Sequence, residues 1–132
     1  MPPSKLSIEA TPWWTDLGPK WQDVKVKMLV HADVNGAQLS MFGRTTYPAG
    51  CTHPCHRHPH GEETLYVLSG RGAHTTGDET FEIGPGDVVF VPSDTFHVTS
   101  AAPDEDLTLL WFIGGGGSLD TAGYVEKDAP DG

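Results

Sequence analysis

Basic residues are scarce in this chain. Its 132 residues carry 8 Lys and Arg against 18 Asp and Glu, a formal net charge of −10. Proteins that bind nucleic acid or anionic membranes present clustered Lys and Arg. We therefore expect neither a nucleic-acid nor a membrane partner.

Long apolar runs are also missing. No stretch approaches the length that spans a bilayer, and residues 1–5 lack the apolar core of a secretory signal. The sequence therefore predicts a cytoplasmic protein. Its length suits one domain with one hydrophobic core, so we expect one functional site.

Cysteine is limited to Cys51 and Cys55. If this segment is extended, the two Cα atoms lie roughly 13 Å apart, which is beyond the reach of a disulfide. Free thiols are the favoured interpretation. A metal site made of Cys51, His53 and Cys55 is an open alternative, although these residues would share the face opposite His56 and His58.

No convincing helical period occurs anywhere in the chain. Residues 24–30 alternate apolar and polar side chains, with Lys25 and Lys27 on the polar side. Asn35-Gly36 and Gly77-Asp78 predict hairpin turns. Eight or nine short strands, each ended by Gly, Pro, Asn or Asp, predict an all-β sandwich or barrel.

The two ends of the chain differ from this strand-rich middle. Residues 11–21 contain three of the four tryptophans, punctuated by Pro and Gly. We expect residues 1–23 to form an irregular arm whose indoles cover either the open end of the domain or a partner subunit. Residues 24–113 should form the barrel, and the Gly-rich, acidic residues 114–132 a mobile tail.

Histidine is concentrated in one segment, with four of the seven in residues 53–60. A lone His is most often solvent-exposed or part of the core. Here, however, His56 and His58 would point to the same side of an extended strand. Glu62-Glu63 follow one turn later, and His97 follows a second turn. Three imidazoles and a carboxylate predict a divalent transition metal with coordination positions left open.

The same residues resemble the first motif of the cupin superfamily, Gly-x5-His-x-His-x4-Glu-x6-Gly. Gly50, His56, His58, Glu63 and Gly70 match it position for position. The match selects Glu63 over its neighbour, and the strand pleat likewise puts the preceding Glu on the opposite face.

The second cupin motif, Gly-x5-Pro-x-Gly-x2-His-x3-Asn, is matched less completely. Gly86, Pro92 and His97 fit, whereas Asp94 stands where the second Gly is usual and Ala101 where Asn is usual. Asp tolerates the left-handed backbone that a tight turn requires, so Asp94 is a mild departure.

The resemblance implies a small, single-domain, metal-binding cupin: a double-stranded β-helix, or jelly-roll barrel, with the metal in its lumen. It implies His56, His58, Glu63 and His97 as ligands. Fe(II) is the favoured ion, with Mn, Ni, Zn or Cu as alternatives. Barrels of this family commonly pair through an outer sheet, so we expect a homodimer, with the tryptophan-rich arm as a candidate clasp.

The favoured function is a dioxygenase-type oxidoreductase acting on a small oxygenated substrate that chelates the metal, with Glu63 as candidate catalytic residue. A non-redox lyase, isomerase or cyclase is the first alternative. A non-catalytic ligand-binding or sensor protein is the second. Cupins that cleave dimethylsulfoniopropionate usually carry Tyr at the position of Leu65, which weakens the lyase hypothesis.

Other side chains are candidates for the pocket wall, although strand phase alone does not place them. These are Arg44, Tyr47, His53, His60, His74 and Trp111. Apolar neighbours of the ligands, namely Leu65, Val67, Val89 and Phe96, predict a dry lumen suited to a largely apolar substrate with a chelating polar end.

Overall fold

A computed structural model describes residues 4–14 and 17–128. The parts of the arm and tail predictions that fall on residues 1–3, 15–16 and 129–132 lie outside it. The strands are β1 (Lys25–Val30), β2 (Ser40–Tyr47), β3 (His56–Arg57), β4 (Glu62–Ser69), β5 (Gly72–Thr76), β6 (Glu79–Ile83), β7 (Val88–Val91), β8 (His97–Ala101), β9 (Leu107–Gly114) and β10 (Val125–Glu126). The helices are a 3-10 turn (Pro19–Trp21), α1 (Ala32–Asn35) and α2 (Leu119–Ala122).

The strands form two five-stranded antiparallel sheets. One has the order β1-β2-β9-β4-β7 and is called the long-strand sheet, because three of its strands have 8 residues. The other has the order β10-β3-β8-β5-β6 and is called the histidine sheet. The all-β jelly-roll prediction is confirmed. None of the helices in the described part of the chain has the length and hydropathy to cross a membrane.

Strand alternation decides what lies inside. In β4, Glu63, Leu65 and Val67 are buried, while Thr64 and Tyr66 face outward. The core is made mainly by the long-strand sheet, with fully buried Met41, Leu107 and Leu109 among its members. Each such side chain contributes about 1.5–3 kcal/mol through its removal from water.

Gly70 shows why the first motif ends in glycine. Its φ is +84°, and an added Cβ would lie 1.8 Å from the carbonyl oxygen of Asp106. A side chain there would be strained by its backbone and would also clash. Gly50 and Gly86 likewise have positive φ.

The two predicted hairpins have different outcomes. Gly77-Asp78 joins β5 to β6, with Thr76 opposite Glu79. Asn35-Gly36 does not form a two-residue hairpin, because Asn35 ends α1 and Gly36 caps it in the left-handed conformation. β1 and β2 nevertheless pair antiparallel across this short helix.

The polar side of β1 differs from its prediction. Lys27 lies on the polar side of the alternation, yet only 5 % of it is accessible because the N-terminal arm covers it. Its Nζ donates to the Ile8 carbonyl at 2.7 Å and lies 4.8 Å from the Trp13 ring centre. Trp14 forms a β-bridge with Val26. The described part of the arm therefore packs on its own barrel.

The predicted mobile tail also differs, since residues 118–128 fold back onto the histidine sheet. β10 pairs with β3, with Glu126 opposite His56. The His60 amide donates to the Ala122 carbonyl at 2.8 Å, and Ala122 is completely buried. The Gly-rich residues before this segment are also tied to the barrel, since the Ala32 amide donates to the Gly117 carbonyl at 2.7 Å and the Gly115 amide donates to the Leu39 carbonyl at 3.0 Å.

Candidate metal centre

The predicted ligands come from three neighbouring places in the fold. His56 lies in β3 directly opposite His97 at the start of β8. His58 follows β3, and Glu63 lies near the start of β4. The ligand-type nitrogens of His56, His58 and His97 all lie within 4.8 Å of one another, the one such cluster among residues 4–14 and 17–128.

Glu63 approaches this cluster closely. Its Oε1 lies 2.9 Å from His97 Nε2 and 3.7 Å from His58 Nε2. The shorter contact lacks hydrogen-bond alignment, so Oε1 of Glu63 and Nε2 of His97 are buried without a hydrogen-bond partner in the described structure. Two ligand atoms bound at about 2.1 Å and at right angles would be about 3 Å apart. The spacing fits a shared cation.

The three imidazoles are held in one tautomer by backbone carbonyls. His56 Nδ1 bonds to the Pro54 oxygen at 2.7 Å, His58 Nδ1 to the Gly123 oxygen at 2.8 Å, and His97 Nδ1 to the Thr95 oxygen at 2.9 Å. A carbonyl only accepts, so each Nδ1 carries the proton and each Nε2 presents its lone pair. Metal-bound histidines usually donate the hydrogen of their second ring nitrogen to a partner of this kind.

Burial and the neighbouring charges favour ligation at neutral pH for His56, His58 and Glu63. Burial lowers the pKa of His56 and of His58, so both are neutral and able to donate a lone pair. Burial alone would raise the pKa of the Glu63 carboxyl, but His97 and His58 hold it below its usual value. Burial alone would lower the pKa of His97, and the neighbouring carboxylate raises it overall.

His53 lies beside the cluster, but both of its ring nitrogens are already engaged. Nδ1 donates to the Pro54 oxygen at 2.7 Å, and Nε2 accepts from the Thr99 amide at 3.2 Å. Burial lowers its pKa to about 4, which keeps it neutral. His53 therefore stabilises the segment that carries His56 and is not available as a ligand.

The alternative site of Cys51, His53 and Cys55 does not form. The prediction that His53 lies on the face opposite His56 is wrong, because the His53 ring lies on the lumen side with its centre 4.7 Å from that of the His56 ring. Both cysteines are half-buried free thiols, as predicted.

Three other candidates lie outside the pocket wall. His74 is completely buried, with Nδ1 2.9 Å from the Thr99 hydroxyl and Nε2 2.6 Å from the Thr76 hydroxyl. His60 is exposed in a turn. Arg44 reaches away from the lumen to Glu9, at 3.5 Å.

A cavity of about 630 Å³ adjoins the ligand cluster. Of the six candidates for its wall, Tyr47, His53 and Trp111 line it. Of the four predicted apolar neighbours of the ligands, Leu65 lines it, while Val67, Val89 and Phe96 do not. Other apolar lining residues are Val26, Met28, Met41, Leu109 and Ile113. A polar ligand set beside an apolar wall suits a small organic molecule with one oxygenated end.

Sequence reasoning missed the residues at the cavity rim. Tyr124 and Glu126 come from the returning C-terminal segment, and the Gly123 carbonyl orients His58 from 65 positions away. No local pattern indicated these contacts. The tryptophan-rich arm was a usable signal, since Trp14 and Trp21 both line the cavity.

The departure at Asp94 has a structural explanation. Its φ is +60°, as expected at a position where Gly is usual. Its carboxylate forms a salt bridge with Arg57, and its amide donates to the His58 carbonyl at 2.9 Å. Asp94 therefore ties the turn before His97 to the segment that carries the other two histidines.

Comparisons with known proteins agree with this fold. Residues 43–113 match the family model of the cupin domain. The chain is 31% identical over 72 residues to an uncharacterised protein, MJ1618, of Methanocaldococcus jannaschii, covering 54% of this chain and 58% of that one. It is 28% identical over 95 residues to the polyketide synthase CurC of Streptomyces cyaneus, covering 72% and 62%. It thus spans about three fifths of these relatives.

Among solved structures, the polyketide cyclase RemF of Streptomyces resistomycificus superposes with a TM-score of 0.79. The superposition covers 96% of this chain and 87% of that one at 18% identity. At this identity the likeness concerns the fold alone.

Proposed function

Because this chain belongs to the cupin domain family, we propose that it is a metal-dependent enzyme acting on a small polyoxygenated organic substrate that chelates the metal in the lumen. The observation that carries the proposal is the convergence of three lone-pair nitrogens and one carboxylate beside a cavity of about 630 Å³.

We propose His56, His58, Glu63 and His97 as the ligands of one divalent ion. An ion held there would act as a Lewis acid on an enolisable carbonyl or, if it were iron, as a site for dioxygen. Four protein ligands leave two positions of an octahedral site for substrate oxygens. A 1,3-dicarbonyl or a hydroxy ketone offers two oxygens at that spacing.

The chain's own groups suit proton transfer from such a substrate. Glu63 is charged at neutral pH, so one carboxylate oxygen can bind the ion while the other accepts an α-proton. Burial and the Glu63 charge keep the pKa of Tyr47 far above neutral, so its phenol stays protonated. Tyr47 lines the same cavity and can donate a hydrogen bond to a substrate oxygen.

Non-redox cyclisation is the reaction we favour. In an intramolecular aldol step the α-proton leaves, a carbon–carbon bond forms between the α-carbon and a second carbonyl carbon, and that carbonyl oxygen takes a proton. The new carbon–carbon bond closes the ring, and loss of the resulting hydroxyl as water then makes the ring conjugated. The cyclisation proposal is supported by the similarity to the polyketide synthase CurC, which is 28% identical to 72% of this chain.

Dioxygenation is the second candidate, and the same open ligand set supports it. If the substrate binds an Fe(II)-loaded chain through one oxygen only, the second open position is available to dioxygen. It differs from cyclisation in consuming one dioxygen per turnover.

One experiment separates the candidates. The chain is loaded anaerobically with Zn(II) or Fe(II) and then mixed, in air-saturated buffer, with a linear aryl poly-β-ketone, acetylacetone or catechol. His56→Ala should be inactive, and His60→Ala is its matched control. Cyclisation predicts a product one water lighter with either ion and no dioxygen uptake. Dioxygenation predicts uptake with Fe(II) alone. If the metal-loaded chain binds these compounds but turns none of them over, the result would favour the ligand-binding alternative and contradict the proposal that the chain is an enzyme.

We also propose a homodimer. The long-strand sheet presents apolar side chains on its outer face, and β7 forms its edge. These side chains are Tyr66, Leu68, Val88, Phe90 and Phe112. Exposed apolar patches of this kind mark association surfaces. Sedimentation should give a dimer for the native chain and a monomer for Phe90→Lys, whereas Trp13→Ala in the arm should remain dimeric.

A further inference from the structure

The indole of Trp111 rests on a glycine of the neighbouring strand. Trp111 in β9 lies opposite Gly43 in β2 and opposite Leu65 in β4. A Cβ added at Gly43 would lie 2.3 Å from Cζ2 and 2.6 Å from Cε2 of the indole, much closer than carbon atoms pack without a bond. The indole therefore leans over β2 and fills the place that a side chain at position 43 would take.

A buried hydrogen bond holds the indole in this orientation. Its Nε1 donates to the Thr45 hydroxyl at 2.8 Å, and both side chains are buried. A buried N–H group without a partner costs free energy, so this bond disfavours orientations in which the indole leaves β2.

The indole takes the place of Gly43 in the cavity wall. Gly43 is buried on the inward face of β2, yet it does not line the cavity, because the indole covers it. The other inward-facing residues of β2 do line the cavity; these are Met41, Thr45 and Tyr47.

The side of the indole that faces away from β2 borders the space beside a metal ligand. Leu65, opposite Trp111 on β4, lines the cavity and lies two residues after Glu63 on the same face of that strand. A residue larger than glycine at position 43 would displace the indole from β2 toward this space. The absence of a side chain at Gly43 therefore widens the cavity next to Glu63.

We propose that Gly43 and Trp111 together set the width of the cavity beside the metal site and so determine which substrates fit. With the indole resting on Gly43, the cavity accepts a 1,3-dicarbonyl that carries bulky apolar substituents next to its chelating oxygens. This inference rests on the proposed function and adds a size limit to its substrate class. A chain that folds back on itself for cyclisation is broader than an extended one, so it requires this width.

Two chelators of different bulk test the size limit with Zn(II)-loaded full-length protein. Acetylacetone carries methyl groups beside its carbonyls, and dipivaloylmethane carries tert-butyl groups at the same places. Gly43→Ala should weaken dipivaloylmethane binding about tenfold, because the displaced indole removes space from an apolar pocket, while acetylacetone binding changes less than about twofold. The matched control is Gly114→Ala in β9, where an added Cβ would meet nothing closer than Phe112 Cε1 at 3.6 Å. It should bind both chelators as the native chain does.

A second variant tests the same limit without adding an atom to the wall. Trp111→Phe removes the ring atoms that overlie Gly43, so the ratio of dipivaloylmethane to acetylacetone affinity should shift in the opposite direction. The double variant Gly43→Ala/Trp111→Phe should return toward the native ratio, because the new methyl group occupies the space that the smaller ring vacates.

Stability and metal content are measured for every variant. The methyl group of Gly43→Ala would also lie 3.0 Å from the Lys27 carbonyl oxygen, so a thermal melt and zinc analysis show whether it keeps its fold and metal. An unchanged affinity ratio in Trp111→Phe, or in folded, zinc-loaded Gly43→Ala, would overturn the size limit alone. Failure of the native zinc-loaded chain to bind either chelator would reject the proposed function, and the size limit with it.

Discussion

The two sheets of this barrel contribute differently to the hydrophobic core and to the candidate metal site. The long-strand sheet has three strands of 8 residues and supplies most of the hydrophobic core. The histidine sheet contains two strands of only 2 residues, yet it carries His56 and His97. The regular sheet therefore stabilises the fold, while the irregular one positions most of the chemistry.

The contrast shows how an irregular segment can still hold ligands rigidly. Around β3, order comes from contacts with distant residues rather than from a long ladder of strand bonds. The Gly123 carbonyl fixes His58, and the Asp94 amide and carboxylate fix the backbone beside it. Glu63, by contrast, needs only the pleat of β4 to point inward.

The largest effect should come from removing a ligand of the histidine sheet. His97→Ala should weaken metal binding by more than about 100-fold, because losing even an outer partner of a ligand typically costs 10–100-fold. Calorimetric metal titration measures this. His60→Ala, in an exposed turn, should bind as the native chain does, and an equal loss in both variants would contradict the assigned site.

A core truncation in the long-strand sheet should give the converse result. Leu109→Ala should lower the free energy of unfolding by about 2–5 kcal/mol, because the site is fully buried and leaves a cavity. Metal stoichiometry of the folded protein should be unchanged. Leu39→Ala at an exposed position should cost less than about 0.5 kcal/mol. Loss of metal from the folded Leu109→Ala protein would contradict the assignment of stability to one sheet and of metal binding to the other.

Deletion of residues 118–132 tests the long-range support of β3. It removes the Gly123 carbonyl that orients His58, so metal affinity should fall about 10–100-fold. Deleting only residues 129–132 is the matched control and should leave affinity unchanged. If the longer deletion binds metal normally, the C-terminal segment has no positioning role.

The smallest effect concerns pH. Burial lowers the pKa of His74 to about 4, so protons bind the unfolded chain more readily between that value and about 6.5. Stability contributed by neutral His74 should therefore be full near pH 7 and fall by about 2 kcal/mol by pH 5. Metal-free His74→Gln should show a shallower loss in denaturant melts across this range. The same slope in His74→Gln and the native protein would contradict this origin.

Much of the barrel was predictable because period-two alternation and turn residues are local signals. Glu63, Leu65 and Val67 face inward as the pleat requires, and Gly77-Asp78 turns where expected. The ends were not predictable in the same way. No periodic pattern in the sequence indicates that the Gly123 carbonyl is bonded to His58, or that the N-terminal arm covers Lys27.

Residue type alone could not separate the ligands from their neighbours either. His53 and His56 lie close together in sequence and in space, yet only His56 keeps a free nitrogen, because the Thr99 amide occupies Nε2 of His53. That distinction depends on the position of β8, which tertiary structure sets.

The most direct test of the account is an anaerobic titration of the metal-free chain with Co(II), followed by visible absorption and X-ray absorption spectroscopy. We predict one equivalent bound with nitrogen and oxygen ligands, no thiolate charge-transfer band, and loss of this signal in His97→Ala but not in His60→Ala. A thiolate band, or a signal unchanged in His97→Ala, would contradict the assignment of His56, His58, Glu63 and His97 as the metal site.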